Sequence, residues 1–340
     1  MRRHVGKIVR GALLVAILAA LVVFAKSVDW RTTWRAIRET SLVVLAAAAV
    51  VNLASLFLKG MRWWIFLRPI GVTSLWLAVR ATFAGAGLNN ILVANSGEAG
   101  RVILVARTAH VSSEKVLATL ALERLFELVG YIVLLALAAS FLSLPASIER
   151  ARPFAIAALV VVIALLIYLV RHPEKAELPV LEGEGLLKRA KTYGRNFLRT
   201  LTGISTAGRF AASLLLSVAV WILQVATYAL TARAAHFNLS NVGTIAAILA
   251  VNLGFAIRAT PGNVGVFQMM YAMTAAAFGM DRNEATGVAF LIQTQQILPV
   301  TILGLIAAPE ILFAKRRKVA RPTNVLPGEP APAADVSSGA

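Results

Sequence analysis

Long stretches without a single Asp, Glu, Lys or Arg recur through the chain, at residues 11–25, 41–58, 128–144, 154–170, 210–232, 237–257, 259–280 and 285–309. A hydrocarbon core about 30 Å thick is crossed by roughly 20 apolar helical residues. Repeated runs near that length predict an all-α polytopic membrane protein. The hydrophobic share of 59% agrees. A single transmembrane domain, residues 1–318, takes nearly everything; residues 319–340, rich in Pro, Ala, Gly and Ser, read as a disordered cytoplasmic tail.

The chemistry available is narrow. Without cysteine there is no disulfide, thiolate metal site or cysteine nucleophile, and the four histidines (His4, His110, His172, His236) make no metal-ligand spacing. No phosphate loop, HExxH, GxSxG or dinucleotide fingerprint occurs. The expectation is a protein with no cofactor and no metal, and not an enzyme. The net charge of +18 comes from Lys and Arg beside the ends of apolar runs, as at Arg2, Arg3, Lys7 and Arg10 and again at Lys315–Lys318. That pattern points to anionic membrane lipid rather than nucleic acid as the partner. The loop at 171–209 carries eight basic residues against four glutamates and belongs in the cytoplasm with both termini.

Taken in order, residues 11–25 form the first span and 28–40 an amphipathic interfacial helix with Trp30 and Trp34. The second span, 41–58, returns to Lys59, Arg62 and Arg68, with Trp63 and Trp64 at the interface. Residues 81–97 are uncharged yet hold Gly85, Gly87, Asn89, Asn90 and Asn95, which no plain span would favour. Counting them as a span would also put the basic loop outside. A re-entrant hairpin answers both points, since irregular backbone at membrane depth must be sheltered by protein or water. Residues 237–280 read either as a second hairpin or as two full spans. The total is about six full spans plus two interrupted or re-entrant hairpins. Their order predicts an inverted repeat, the pattern of secondary transporters, with interrupted helices flanking a midplane site.

Polar residues at depth are the candidate site. In Arg258-Ala259-Thr260-Pro261-Gly262-Asn263-Val264-Gly265-Val266-Phe267-Gln268, Thr260 is an expected N-cap, Pro261 an expected first helical residue, and the glycines allow close approach to the backbone. With Arg258 alongside, that helix start is a candidate anion site. Its bland reading is a cytoplasmic turn between two spans. Glu123 and Glu127 lie four apart on one helical face, with Arg124 turned partly away. Glu98, in the first turn after Ser96, and Arg101 complete the set. Arginine suits bidentate contact with phosphate, so Arg258, Arg101 and Arg124 are candidate headgroup ligands, and Glu98, Glu123 and Glu127 pairing or proton-carrying groups. An interfacial salt bridge is the plain reading of the glutamates.

Three stretches, Ser96-Gly97-Glu98-Ala99-Gly100-Arg101, Leu122-Glu123-Arg124-Leu125-Phe126-Glu127 and Thr260-Pro261-Gly262-Asn263-Val264-Gly265-Val266-Phe267-Gln268, resemble the signatures of the flippase-like transmembrane family named for the membrane region of lysylphosphatidylglycerol synthase. The resemblance covers about residues 5–315. It implies a bacterial inner-membrane protein that moves or handles lipids. The candidate substrate contacts, read from the residues' own chemistry, are Arg258, Thr260, Gly262, Asn263, Gly265, Gln268, Arg101 and Arg124. Asn263 and Gln268 stand where the family often has glycine and glutamate, and Glu127 where it usually has aspartate. The synthase's soluble aminoacyl-transferase domain has no counterpart in this sequence. A flippase for an anionic-headgroup lipid or lipid-linked intermediate is the leading expectation. The alternatives are a non-transporting membrane subunit of a lipid-modifying pathway, partnered with its enzyme, and a membrane-embedded glycosyltransferase with a carboxylate base.

Overall fold

The computed structural model describes residue 19, residues 21–91, 96–141, 207–255 and 260–307, and five helical positions between 153 and 164. The readings made for 1–18, the span at 154–170, the basic loop up to 206, Arg258 and the tail lie outside these residues. Among the described residues all regular structure is helical. A short α1 (Trp30–Arg38) is capped by the Asp29 side chain, which accepts from the Arg31 N–H. It packs on the last helix and leaves Trp30 and Trp34 more than half exposed, as an amphipathic surface helix requires.

Among the described residues eight helices with defined bounds follow, in an order of lengths that occurs twice. The first set is α2 (Leu42–Leu67, 26 residues), α3 (Leu75–Ile91, 17), α4 (Ser96–Thr108, 13) and α5 (Ser113–Phe141, 29). The second is α6 (Ala207–Ala234, 28), α7 (Asn241–Gly254, 14), α8 (Val266–Ala277, 12) and α9 (Arg282–Ala307, 26). Each set therefore reads long, short, short, long. Among the described residues three segments, Leu42–Ile70, Gly208–Ala234 and Arg282–Ala307, are long and apolar enough to cross a bilayer. The 14 residues of α7 rise about 21 Å and the 12 of α8 about 18 Å, short of a core of about 30 Å.

Each set buries its own core. Trp63, Phe66, Val105, Leu122 and Phe126 fill the first, between α2, α4 and α5. Tyr228, Ile248, Phe267, Tyr271 and Ile292 fill the second, between α6, α7, α8 and α9. The sets join along α2 and α6 and along α3 and α9.

The first pair of short helices is held together by the absence of side chains. A Cβ on Gly97 would sit 1.8 Å from the Gly85 carbonyl oxygen, so α3 and α4 meet backbone to backbone. Across the other side of α3, a Cβ on Gly304 of α9 would lie 2.5 Å from the Phe83 carbonyl oxygen. Gly85, Gly87, Asn89 and Asn90, which made residues 81–97 unlike a plain span, are thus packing, capping and bracing residues, while Asn95 lies outside the described residues. The Asn89 side chain accepts from the Gly97 N–H at 2.8 Å, serving the start of α4 from the end of α3.

The second pair departs from expectation at its tip. Pro261 opens a one-turn 3-10 segment, Pro261–Asn263, rather than α8, which begins five residues later at Val266. Gly262, Asn263 and Gly265 all take left-handed backbone, with φ of 60°, 59° and 91°, which no α-helix accommodates. Asparagine is among the few side-chain-bearing residues that tolerate this region, which explains why it can stand for glycine at 263. Thr260 does not cap a helix; its hydroxyl donates to the Val264 carbonyl at 2.7 Å. The group that serves the start of α8 is Gln268, whose side-chain oxygen accepts from the Gly265 N–H at 2.6 Å.

A candidate lipid headgroup cavity

Where the two sets meet, the ends of the short helices face each other across a cavity of about 650 Å³. Its wall is drawn from α2 (Asn52, Ser55, Lys59), α3 (Asn89, Asn90), α5 (Arg124, Glu127), α6 (Trp221, Gln224), α7 (Asn252), the 260–263 turn and α9 (Gln293, Gln296). Bilayer-spanning helices do not enclose so many carboxamides without a use, since an unmatched polar group in an apolar medium costs several kcal/mol.

The carboxamides are organised into two chains of hydrogen bonds. Gln224 donates to Ser55 at 2.6 Å and to Asn52 at 3.3 Å, while accepting from Gln296 at 3.3 Å, which ties α6 to α2 and α9. Gln268 donates to Gln293 at 2.6 Å, and Gln293 donates to the Gly262 carbonyl at 2.8 Å. Asn90 braces the opposite tip on α9, donating to Thr301 at 3.1 Å. The Asn263 side-chain nitrogen reaches the Gly254 carbonyl at 3.4 Å, and its side-chain oxygen is buried without a hydrogen-bond partner among the described residues.

One end of the cavity is charged. Glu127 is shared by three cations: Arg124 at 2.7 Å, Arg62 at 3.4 Å and Lys59 at 3.7 Å. Arg124 also pairs with Glu98. Behind this wall Arg101 makes a two-pronged contact with Glu123, at 2.6 and 3.5 Å, and lays its guanidinium 3.9 Å over the Trp63 ring. Arg62, wholly buried, donates to Ser217 at 2.9 Å and lies 3.9 Å from Glu123. Four cations face three carboxylates in this cluster, an excess of one positive charge.

The expected site residues therefore divide. Arg124, Thr260, Gly262, Asn263 and Glu127 line the cavity. Arg101 and Glu123 stand behind it, while Glu98 reaches it only through Arg124. Gly265 and Gln268 are not in the wall, because both carboxamide atoms of Gln268 are engaged in fixing the tip. Arg258 lies outside the described residues. Two cations missed as site residues, Lys59 and Arg62, had been assigned to an aqueous interface with Trp63. Instead α2 runs on to Leu67, so Arg62 and Trp63 face the bundle. The signal was present: Ser55, Lys59 and Arg62 fall on one helical stripe, at intervals of four and three.

A family model, described as the lysylphosphatidylglycerol synthase TM region, matches residues 9–304. No curated protein and no solved structure matches the chain.

Proposed function

Since the chain belongs to the family of the lysylphosphatidylglycerol synthase transmembrane region, we propose that it is a lipid flippase whose cavity takes an anionic headgroup. The observation that carries this reading is a polar cavity, with one excess positive charge at its end, placed between helices too short to cross the membrane. Lys59 and Arg124 are the cations at its wall. A phosphate arriving there competes with Glu127 for both, so the carboxylate holds the cations in place until the ligand replaces it. Arg62, Arg101 and Glu123 act behind, as a fixed frame. The lipid tails remain in the bilayer while the head crosses through the amide-lined interior, and no covalent step is involved.

In this reading the two short pairs are re-entrant hairpins, and the two sets are an inverted repeat about the cavity. Both termini and the basic loop then face the cytoplasm of a bacterial inner membrane. Reporter fusions at Ala190 and Val325 are expected to give a cytoplasmic signal; an external signal from either removes the inverted arrangement. Transport is read by translocation of a labelled anionic phospholipid in proteoliposomes. Lys59→Gln and Arg124→Gln are each expected to slow it by tenfold or more, about 1.4 kcal/mol in the barrier, while the protein stays monodisperse in detergent. Wild-type protein that moves no anionic lipid, or variants that match its rate, would return the chain to the role of a non-transporting membrane subunit.

A further inference from the structure

Resting on the anionic-headgroup reading, we infer that the selected lipid carries a polyhydroxylated group beyond its phosphate, a sugar ring or polyol, and no ammonium. The inference comes from how charge and carboxamides are distributed around the cavity. All three charged groups in the wall, Lys59, Arg124 and Glu127, lie together at one end. When a phosphate takes Lys59 and Arg124 from Glu127, the carboxylate keeps the buried Arg62 at 3.4 Å, so nothing in the described wall offers an unpaired negative group to an ammonium. A cationic or zwitterionic head would place its amine beside Lys59 and Arg124, where like charges repel.

Away from that end the described wall is neutral but not apolar. A carboxamide presents two donors and an acceptor on one small plane, and a hydroxyl donates once and accepts twice. An array of carboxamides therefore matches neighbouring hydroxyls without the desolvation cost of buried charge. Among the described residues the oxygen of Asn263 is buried and unpartnered, and the Asn252 side chain is tied only to the Ile248 carbonyl of its own helix. Both belong to the wall. Trp221 adds a flat apolar face, its ring nitrogen donating to the Glu127 carbonyl at 3.1 Å and its ring packed 4.9 Å from Tyr131. A ring with one apolar face and a rim of hydroxyls fits between such a platform and such amides. The volume, about 650 Å³, lies well within the range of roughly 300–1,000 Å³ typical of small-molecule sites, and exceeds what a bare phosphate uses.

The test measures binding of a panel of lipids with identical acyl chains to the full chain in detergent. Phosphatidylinositol, phosphatidic acid and phosphatidylethanolamine compete against a fluorescent phosphatidylinositol, with soluble inositol phosphate as a further competitor. The expected result is phosphatidylinositol at least tenfold tighter than phosphatidic acid and phosphatidylethanolamine. Soluble inositol phosphate should compete measurably but more weakly than the lipid; if it competes equally, the site belongs to a free sugar phosphate rather than to a lipid. Phosphatidic acid binding as tightly as phosphatidylinositol would overturn the polyhydroxyl inference and leave the anionic reading intact. Phosphatidylethanolamine binding as tightly would overturn the exclusion of ammonium. Failure of every anionic lipid would remove the anionic reading itself. In Asn252→Leu and Gln296→Leu the tenfold preference is expected to collapse to about twofold through weaker binding of phosphatidylinositol, and a monodisperse profile in detergent reports that each variant is folded. An unchanged preference in both would overturn the inference; should either fail to fold, the wild-type panel still decides.

Discussion

The two halves of this bundle share an order of helices and solve the burial of polar groups in opposite ways. The first half uses charge: Arg62, Arg101, Glu123 and Glu127 lie inside a membrane domain and pair with one another, while Arg62 Nε and Nη2 and Arg101 Nε have no hydrogen-bond partner among the described residues. The second half uses carboxamides: Gln268, Gln293 and Asn263 fix the 260–265 turn with no net charge at all. The difference teaches what each half is suited to do. A buried ion pair is rigid in the sense that losing one partner strands a charge at a cost of about 3–5 kcal/mol. A carboxamide chain is cheaper to disturb, about 1–3 kcal/mol for each group left unmatched, and can trade partners with a neutral ligand. The charged half is a frame, and the neutral half is a surface that can be read.

The largest effect should follow from breaking the frame. Glu123→Ala strands Arg101 against Trp63 and takes one carboxylate from Arg62, with an expected loss of about 3–5 kcal/mol and a fall in membrane yield. Combining it with Arg101→Met should restore part of the yield. If Glu123→Ala alone expresses as well as wild type, the charged half contributes no more than its neutral counterpart and the comparison fails.

Next is Gly97→Val, which places a side chain where the Gly85 carbonyl already sits. The short pair must part, at an expected cost of about 1–3 kcal/mol or more, read as a lower midpoint in thermal aggregation. A charge placed in the neutral half sharpens the contrast further. Gln268→Glu keeps the acceptor for Gly265 N–H but, when ionised, has nothing to donate to Gln293, so a loss of about 1–3 kcal/mol is expected. A protonated carboxyl can donate, so the loss should shrink as pH falls through the carboxyl's own pKa; a loss independent of pH would assign it to packing instead. The smallest effect is Asn263→Gly. The residue's φ of 59° suits glycine, and one long hydrogen bond to Gly254 is lost, so stability should change by less than about 1 kcal/mol.

Much of this was legible before any coordinates. The glycines and asparagines of 81–97 marked the place where two short helices, α3 and α4, pack closely, and the Glu123–Glu127 spacing put both carboxylates on one face. What escaped was partnership across the bundle. A basic residue after an apolar run looks the same whether water or another helix's carboxylate receives it, so Arg62 was read as an interfacial charge. The start of α8 was misplaced for a local reason. Thr-Pro-Gly is good helix-start chemistry, but three left-handed residues in a row of four override it, and only tertiary support from Gln268 and Gln293 makes them tolerable. From the sequence Gln268 reads as a substrate contact, since nothing in a single sequence says that α9, with Gln293, lies beside the turn.

That support has a consequence for how the protein is made. The turn at 260–265 is held by Gln293, which sits near the middle of α9, and α9 is the last helix to leave the ribosome among those described. Until α9 arrives, the Gly262 carbonyl lacks its donor and Gln268 its acceptor, so the second short pair cannot set its tip when it is first synthesised. Biogenesis therefore has a built-in final step: the last described helix docks and latches a turn whose Gly262 lies 31 residues before Gln293. A chain stopped ahead of α9 carries an unlatched tip, with neither Gln268 nor the Gly262 carbonyl paired to Gln293.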